Sequence, residues 1–321
     1  MNIKLLAVIS ALLFCVNPAW GGEKNVIRFG HFPNITHAQG VIAHALSRQG
    51  KGWFEQRLGP GTEVRWYTYN AGPSAMEGIF AGSIDVTYVG PGPALNAHFK
   101  SNGDEIRVIS GGATGGAALV VGPDSGINKA ADFRGKKIAT PQLGNTQDIS
   151  CRAWLKKNGF NVTLTGGDVV VIPTANPDQL GLLQSRGVSA VWTVEPWVTR
   201  LEREAKGRIF LEEKDVITTW LVSSVKFLKE KRDLARKIAE ANAELTRWIS
   251  SNEAEAQKLL IEELKEETKS SFAPDVVAQA WKRINFTTEV PKDLVSKSVE
   301  DAKSAGFAKG STDTSKLIEI F

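Results

Sequence analysis

The residues of this chain that could do chemistry gather in short, nearly uncharged stretches. In order they are His31-Phe32-Pro33-Asn34-Ile35-Thr36-His37, Asn70-Ala71-Gly72-Pro73-Ser74, Gly90-Pro91-Gly92, Thr114-Gly115, Leu143-Gly144-Asn145-Thr146-Gln147, Asn176-Pro177-Asp178 and Trp192-Thr193-Val194-Glu195-Pro196-Trp197. None holds a lysine or arginine, and the nearest is Arg152. Amide side chains, hydroxyls and N–H groups at helix starts can hold an anion without a formal cation. A helix N-terminus contributes about 0.3–1 kcal/mol when exposed and up to ~2 kcal/mol when partly buried. Such a set binds; it offers little for catalysis.

Covalent and metal chemistry lack their signatures. No Gly-x-x-x-x-Gly-Lys-Ser/Thr loop occurs, because Ala117-Ala118 follow the glycines at 111 and 116. Gly90-Pro91-Gly92 lacks the third glycine of a dinucleotide loop, and its prolines remove N–H donors. Neither a Gly-x-Ser-x-Gly elbow nor His-Glu-x-x-His is present. His31, His37, His44 and His98 have no partner histidine at i+3 or i+4, and no cysteine or acidic residue completes a metal set. No metal is therefore expected, and His44 reads as an ordinary helix-face residue. Cys151, past the first turn of a helix, reads as a packed small hydrophobe rather than an activated thiol.

These stretches need elements to position them. The apolar pattern predicts strands over 26–30, 64–69, 84–89, 106–110, 117–121, 137–140, 169–172 and 188–194. Helices are predicted over 36–48, 74–81, 147–158 and 178–184. Strands alternating with helices indicate an α/β architecture with largely parallel sheets. Residues 73–91, "PSAMEGIFAGSIDVTYVGP", and 177–196, "PDQLGLLQSRGVSAVWTVEP", follow one grammar: proline, short helix, glycine, apolar strand, proline. Two lobes follow from this, each built on a βαβαβ unit, with matching loops at the carboxyl ends of their strands. Beyond residue 217 the chain turns to charged amphipathic helices over 228–251, 253–267 and 275–284. It closes with a Gly306-Phe307 turn and a last helix.

The chain has 321 residues and a formal net charge of +4, with 39 basic and 35 acidic residues interspersed. That balance argues against a nucleic-acid partner. Residues 1–21 read as a signal peptide: Lys4, an apolar run over 5–16, and Ala19-Trp20-Gly21 as a cleavage site. The apolar run is well short of the ~20 residues that span a bilayer. The mature chain is expected in the periplasm, with Cys151 as its one cysteine and no intrachain disulfide.

Three segments, "NAGPSAMEGIFAGSIDVTYVGP" (70–91), "DFRGKKIATPQLGNTQ" (132–147) and 177–207 with "VEPW" inside it, occur in an order that resembles one family. It is the extracytoplasmic solute-binding proteins of ABC importers, in the nitrate/sulfonate/taurine/bicarbonate group. The resemblance implies an α/β, two-lobed periplasmic-binding-protein fold (type II), each lobe a mainly parallel sheet flanked by helices, with C-terminal helices. The expected boundaries are a signal peptide over 1–21, lobe 1 over 22–115, lobe 2 over 116–217, and a return to lobe 1 with the C-terminal helices over 218–321. Hinge strands would lie near 111–116 and 218–222.

Taken with the loops above, the candidate ligand residues are His31, Phe32, Asn34, Thr36, His37, Asn70, Ser74, Gly90, Pro91, Gly92, Thr114, Gly115, Asn145, Thr146, Gln147, Trp192 and Glu195. The resemblance implies a small organic anion, an alkanesulfonate or taurine, captured between the lobes by closure. Nitrate, bicarbonate or a pyrimidine-type heterocycle stacked on Phe32, Trp192 or Trp220 are the alternatives. An enzyme on the same fold, akin to a pyrimidine-precursor synthase, is the alternative of another class. No cofactor is expected. The implied partners are the small-molecule ligand and an inner-membrane ABC permease, with the protein itself a monomer.

Overall fold

A computed structural model describes residues 25–321, so the segment read as a signal peptide lies outside the described residues. β1 (Asn25–His31) buries Ile27 and Phe29 completely and pairs in parallel with β2 (Thr62–Thr68). α1 (Ala38–Arg48) and α2 (Trp53–Leu58) connect the two strands. α3 (Gly72–Phe80) returns the chain to β3 (Val86–Val89), which is parallel to β1 on its other side. α4 (Pro91–Lys100) and β4 (Ile106–Gly115) follow, and β5 (Ala117–Val121) opens a second sheet.

The second sheet repeats the first. β6 (Lys137–Thr140), α5 (Thr146–Lys157), β7 (Val170–Pro173), α6 (Asn176–Gln184) and β8 (Ala190–Val194) place β6 centrally, parallel to both β7 and β8. The grammar shared by 73–91 and 177–196 is thus the last helix and strand of each unit. α7 (Trp197–Glu204) and β9 (Arg208–Glu213) complete the order β7-β6-β8-β5-β9. β10 (Ile217–Ser224) returns between β3 and β4, antiparallel to both. Each sheet is therefore mixed: a parallel three-strand unit extended by antiparallel strands.

α8 (Val225–Glu230), α9 (Arg232–Ser251) and α10 (Glu253–Thr268) then pack on the first half, α11 (Pro274–Trp281) lies between α10 and α7, and β11 (Ile284–Phe286) borders β4. α12 (Lys292–Ala305) lies against both α4 and α5. α9 buries Ala235, Ile238, Asn242, Leu245 and Ile249, a helical stripe facing the first sheet. The polar member of that stripe is satisfied: Tyr88 donates to Asn242 Oδ1 at 2.7 Å, and Asn242 Nδ2 donates to Ser110 Oγ at 3.0 Å.

The structure departs from the sequence expectations in the glycine-rich stretch and near the C-terminus. Residues 111–115 do not break the strand; they continue β4. A Cβ at Gly111 would meet the Glu289 carbonyl at 2.2 Å, so glycine here admits a close backbone neighbour. The turn comes at Gly115-Gly116, both with φ +73°. The other crossing between the sheets is residues 214–216, and the two crossings are joined by Gly115 N–H donating to the Val216 carbonyl at 2.9 Å. The helix expected over 228–251 is split at Lys231, and the one expected over 275–284 stops at Trp281 so that Ile284 can enter β11. The last helix precedes Gly306, which ends it at φ +87°, rather than following it. Among the described residues no helix is long and apolar enough to cross a membrane.

Candidate ligand cleft

Both parallel units aim the carboxyl ends of their strands at one cleft, where loops are free to diverge from the sheet. The turn after β1 supplies Phe32, Asn34, Thr36 and His37, the β2–α3 turn Asn70 to Gly72, and the start of α4 Gly90 and Pro93. From the other side come Pro141, Asn145, Thr146, Gln147, Asn176 and Val194, with Thr218 on the floor. The cleft between them leaves about 20 Å³ open to the centre of a water molecule. That is room for one or two waters.

The two rims touch. Gly92 N–H donates to Thr146 Oγ1 at 3.2 Å, Gln142 Nε2 to Ser74 Oγ at 3.0 Å, and Asn70 Nδ2 to the Pro141 carbonyl at 3.4 Å. Asn34 Oδ1 accepts from Trp197 Nε1 at 2.8 Å and Asn176 Nδ2 at 3.2 Å, so its carboxamide oxygen serves the opposite rim.

The start of α5 is built with care. Asn145 caps it by accepting from Asp148 N–H at 2.8 Å. Thr146 and Gln147, the first two helical residues, carry amides with no intrahelical acceptor. The loop is held from behind by Asp148, whose carboxylate accepts from Thr140 Oγ1, Gly144 N–H and Arg152 Nε, each at 2.9 Å. Arg152 is buried and also donates to the Thr163 carbonyl at 2.7 Å. The nearest cation thus braces the loop instead of entering the cleft. The cleft's field comes from dipoles, since its lining contains no lysine, arginine, aspartate or glutamate.

His37 adds to that neutral character. It is buried and packs against the Phe32 ring, with centroids 4.3 Å apart and the planes tilted by 33°. Burial, with a smaller contribution from His31, pushes its imidazole well below the ordinary histidine range. Below the unfolded-state pKa of about 6.5 the unfolded chain therefore binds a proton that the folded chain does not. Stability is expected to be full above that pH and to fall by about 1.4 kcal/mol per pH unit below it for this one group. Urea titrations between pH 7 and pH 4.5 should show His37→Gln with a shallower decline than the parent. Equal slopes would mean that His37 protonates in the folded state.

Of the candidates read from sequence, Phe32, Asn34, Thr36, His37, Asn70, Gly90, Asn145, Thr146 and Gln147 line this cleft. Ser74 bridges the rims, and Pro91 and Gly92 face an adjoining hollow that also touches Thr146 and Thr218. The others sit elsewhere. Trp192 is buried in the second half's core, donating to Glu213 Oε2 at 2.8 Å. Thr114 and Gly115 belong to the chain crossing, where Gly115 packs against the Arg283 carbonyl. Glu195 turns to Thr199 N–H (3.0 Å), Thr199 Oγ1 (2.9 Å) and Arg283 (2.7 Å). Asn176, Pro141 and Thr218 also line the cleft, outside the candidate set read from sequence. Asn176 had a signal, an Asn-Pro helix start matching the one opposite.

His31 requires a correction, and so does His44. Neither stands apart from an acidic residue: the fold brings Glu267 on α10 to within 2.9 Å of both. His44 is not an ordinary helix-face residue, and the missing carboxylate of a metal set was 223 residues away in sequence.

A family model described as "NMT1-like family" matches residues 21–262. The chain belongs to the NMT1-like family. A Bacillus subtilis (strain 168) protein named as an aliphatic sulfonates-binding protein is 28% identical over 204 residues, 61% of this chain and 57% of that one. The taurine-binding periplasmic protein of Escherichia coli K12 is 24% identical over 180 residues, 56% and 53% of the two chains. The NMT1-like chain thus spans less than two thirds of the length of these curated relatives. Among solved structures, the alkanesulfonate-binding protein SsuA from Xanthomonas axonopodis pv. citri bound to MOPS superposes with a TM-score of 0.74 at 16% identity, covering 94% of this chain and 100% of that one. The periplasmic nitrate-binding protein NrtA from Synechocystis PCC 6803 gives 0.74 at 15% identity, covering 92% and 86%. The NMT1-like chain has their two-sheet periplasmic-binding-protein fold.

Proposed function

We propose that this protein is the periplasmic substrate-binding component of an ABC importer, capturing a small organic anion, an alkanesulfonate or taurine, between its two halves. The observation that carries the reading is a cleft lined from both sheets by amides, hydroxyls and one neutral imidazole, with the start of α5 on one wall. Its relatives named for sulfonate and taurine binding support the ligand class. The touching rims correspond to the closed form, and the small remaining space favours compact headgroups over long chains. A ligand contacting both rims stabilises that form, which the membrane permease would then recognise. We further propose the lobe division at residues 115/116 and 217/218.

The test is a calorimetric panel of taurine, short alkanesulfonates, nitrate, bicarbonate and uracil. Taurine or a sulfonate is expected to bind with micromolar or better affinity and to be recovered chemically unchanged. Binding by uracil alone would replace the anion with a heterocycle stacked on Phe32, and turnover of the ligand would make the protein an enzyme. Within the same panel, Asn145→Ala with Thr146→Ala should weaken the preferred ligand by about 1–3 kcal/mol, while loss of the α5 cap costs about 0.5–2 kcal/mol of stability and leaves the fold in place. Unchanged affinity would remove the α5 loop from the site.

A further inference from the structure

Behind the cleft, side chains from the end of β1, from α1 and from the end of α10 converge. His31 Nε2, His44 Nδ1 and Glu267 Oε1 form a triangle with sides of 3.0, 2.9 and 2.9 Å. The side chains are 0%, 12% and 2% exposed respectively. Hydrogen bonds alone do not satisfy this triangle. If both ring nitrogens carry protons toward the carboxylate, two N–H groups face each other at 3.0 Å; if one does not, a single N–H must serve two acceptors.

Two further observations point to a ligand. The second oxygen of the same carboxylate, Glu267 Oε2, is buried without a hydrogen-bond partner, although an ionised carboxylate ordinarily accepts several. The spacing is also that of coordinated atoms. Three donors this far apart share a point about 2.1 Å from each, the length of a metal bond to imidazole or carboxylate. Seen from that point they subtend angles near 90°, as on one face of an octahedron, the arrangement two histidines and a carboxylate adopt around a divalent transition ion. Glu263 Oε1 lies 3.0 Å from His44 Nδ1, and Thr68 Oγ1 donates to Glu267 Oε1 at 2.8 Å, so further oxygen atoms stand at the rim of the triangle.

We propose that His31, His44 and Glu267 form a binding site for one divalent transition-metal ion. None of the three lines the ligand cleft. The ion would fasten the end of β1 and α1 to α10, and His31 immediately precedes Phe32, where the cleft turn begins. The site is thus separate from the ligand and joined to it only through that turn.

The test uses the full-length mature chain without a histidine tag, stripped with a chelator and titrated calorimetrically with Zn2+. One equivalent is expected to bind. Glu267→Gln and His44→Gln should each weaken binding by at least about 100-fold, the upper end of what losing an outer-shell partner costs. On the parent protein, long-range 1H–15N spectra should show Zn2+ shifting His31 Nε2 and His44 Nδ1 while His98 stays unmoved. Absence of a stoichiometric heat, undiminished binding in Glu267→Gln, or unmoved His31 and His44 signals in saturating Zn2+ would each overturn the proposal and leave a proton-sharing triad.

Discussion

Gly90→Val is expected to abolish ligand binding while leaving the protein folded. Gly90 has φ −71° and ψ 158°, a conformation open to valine, so the backbone itself resists nothing. The main obstacle lies across the cleft: a Cβ at Gly90 would stand 2.2 Å from Thr146 Oγ1 and 3.2 Å from Thr146 Cβ, while the Thr218 carbonyl, on β10 of its own half, is a tight but lesser neighbour at 3.3 Å. Threonine is too short to swing clear, and Thr146 is fixed at the first turn of α5. In the proposed cycle valine therefore acts as a wedge that an open arrangement would accommodate and the closed one would not. Affinity should fall by at least 100-fold, about 2.7 kcal/mol, with the melting temperature of the free protein unchanged. Small-angle scattering should show the parent contracting with ligand and the variant not. Normal binding by Gly90→Val would mean that the rims do not meet as they do here when ligand is held.

The second large effect is on stability. Glu195→Ala should cost about 3 kcal/mol, the lower part of the range for breaking a buried ion pair. Glu195 is fully buried, and burial pushes its carboxyl up while Thr199 and Arg283 pull it back down. Removing the carboxylate strands the Thr199 N–H and hydroxyl and takes from Arg283 its buried partner. Arg283 keeps Glu202 at 2.8 Å, which holds the cost to the lower part of that range. Denaturant unfolding of Glu195→Ala, Arg283→Met and the double variant would measure the coupling. A stability loss under 1 kcal/mol with a large loss of affinity would instead make Glu195 a ligand contact.

Much of this was legible because local grammar fixes local structure. The repeated phrase of 73–91 and 177–196 did become equivalent helices and strands, with parallel strands placed in the same order in both sheets. The helix predicted over 147–158 forms as α5, with Asn145 as its cap. What escaped depended on contacts distant in sequence. The apolar pattern of β4 stops at Ser110, where glycines begin, yet the strand runs on to Gly115, with neighbouring backbone too close for a side chain at Gly111 and Gly115. Trp192 looked like a cleft wall. It sits two residues below the end of β8, about 7 Å down the strand, and so belongs to the core while Val194 reaches the cleft. Nothing near His44 announces Glu267, because only the packing of α10 on α1 brings them together.

The bond between the two crossings has a consequence for selectivity. Gly115 N–H on one crossing holds the Val216 carbonyl on the other, with the Arg283 carbonyl packed against the same glycine. Separate linkers would let the halves slide and twist. Linkers bonded to each other favour one rotation, like a door on a single pin. In the proposed cycle every closing stroke then brings Thr146 back to the same place opposite Gly90. A ligand is measured against one fixed gap, and the gauge for that gap is set at the hinge, away from any residue that touches it.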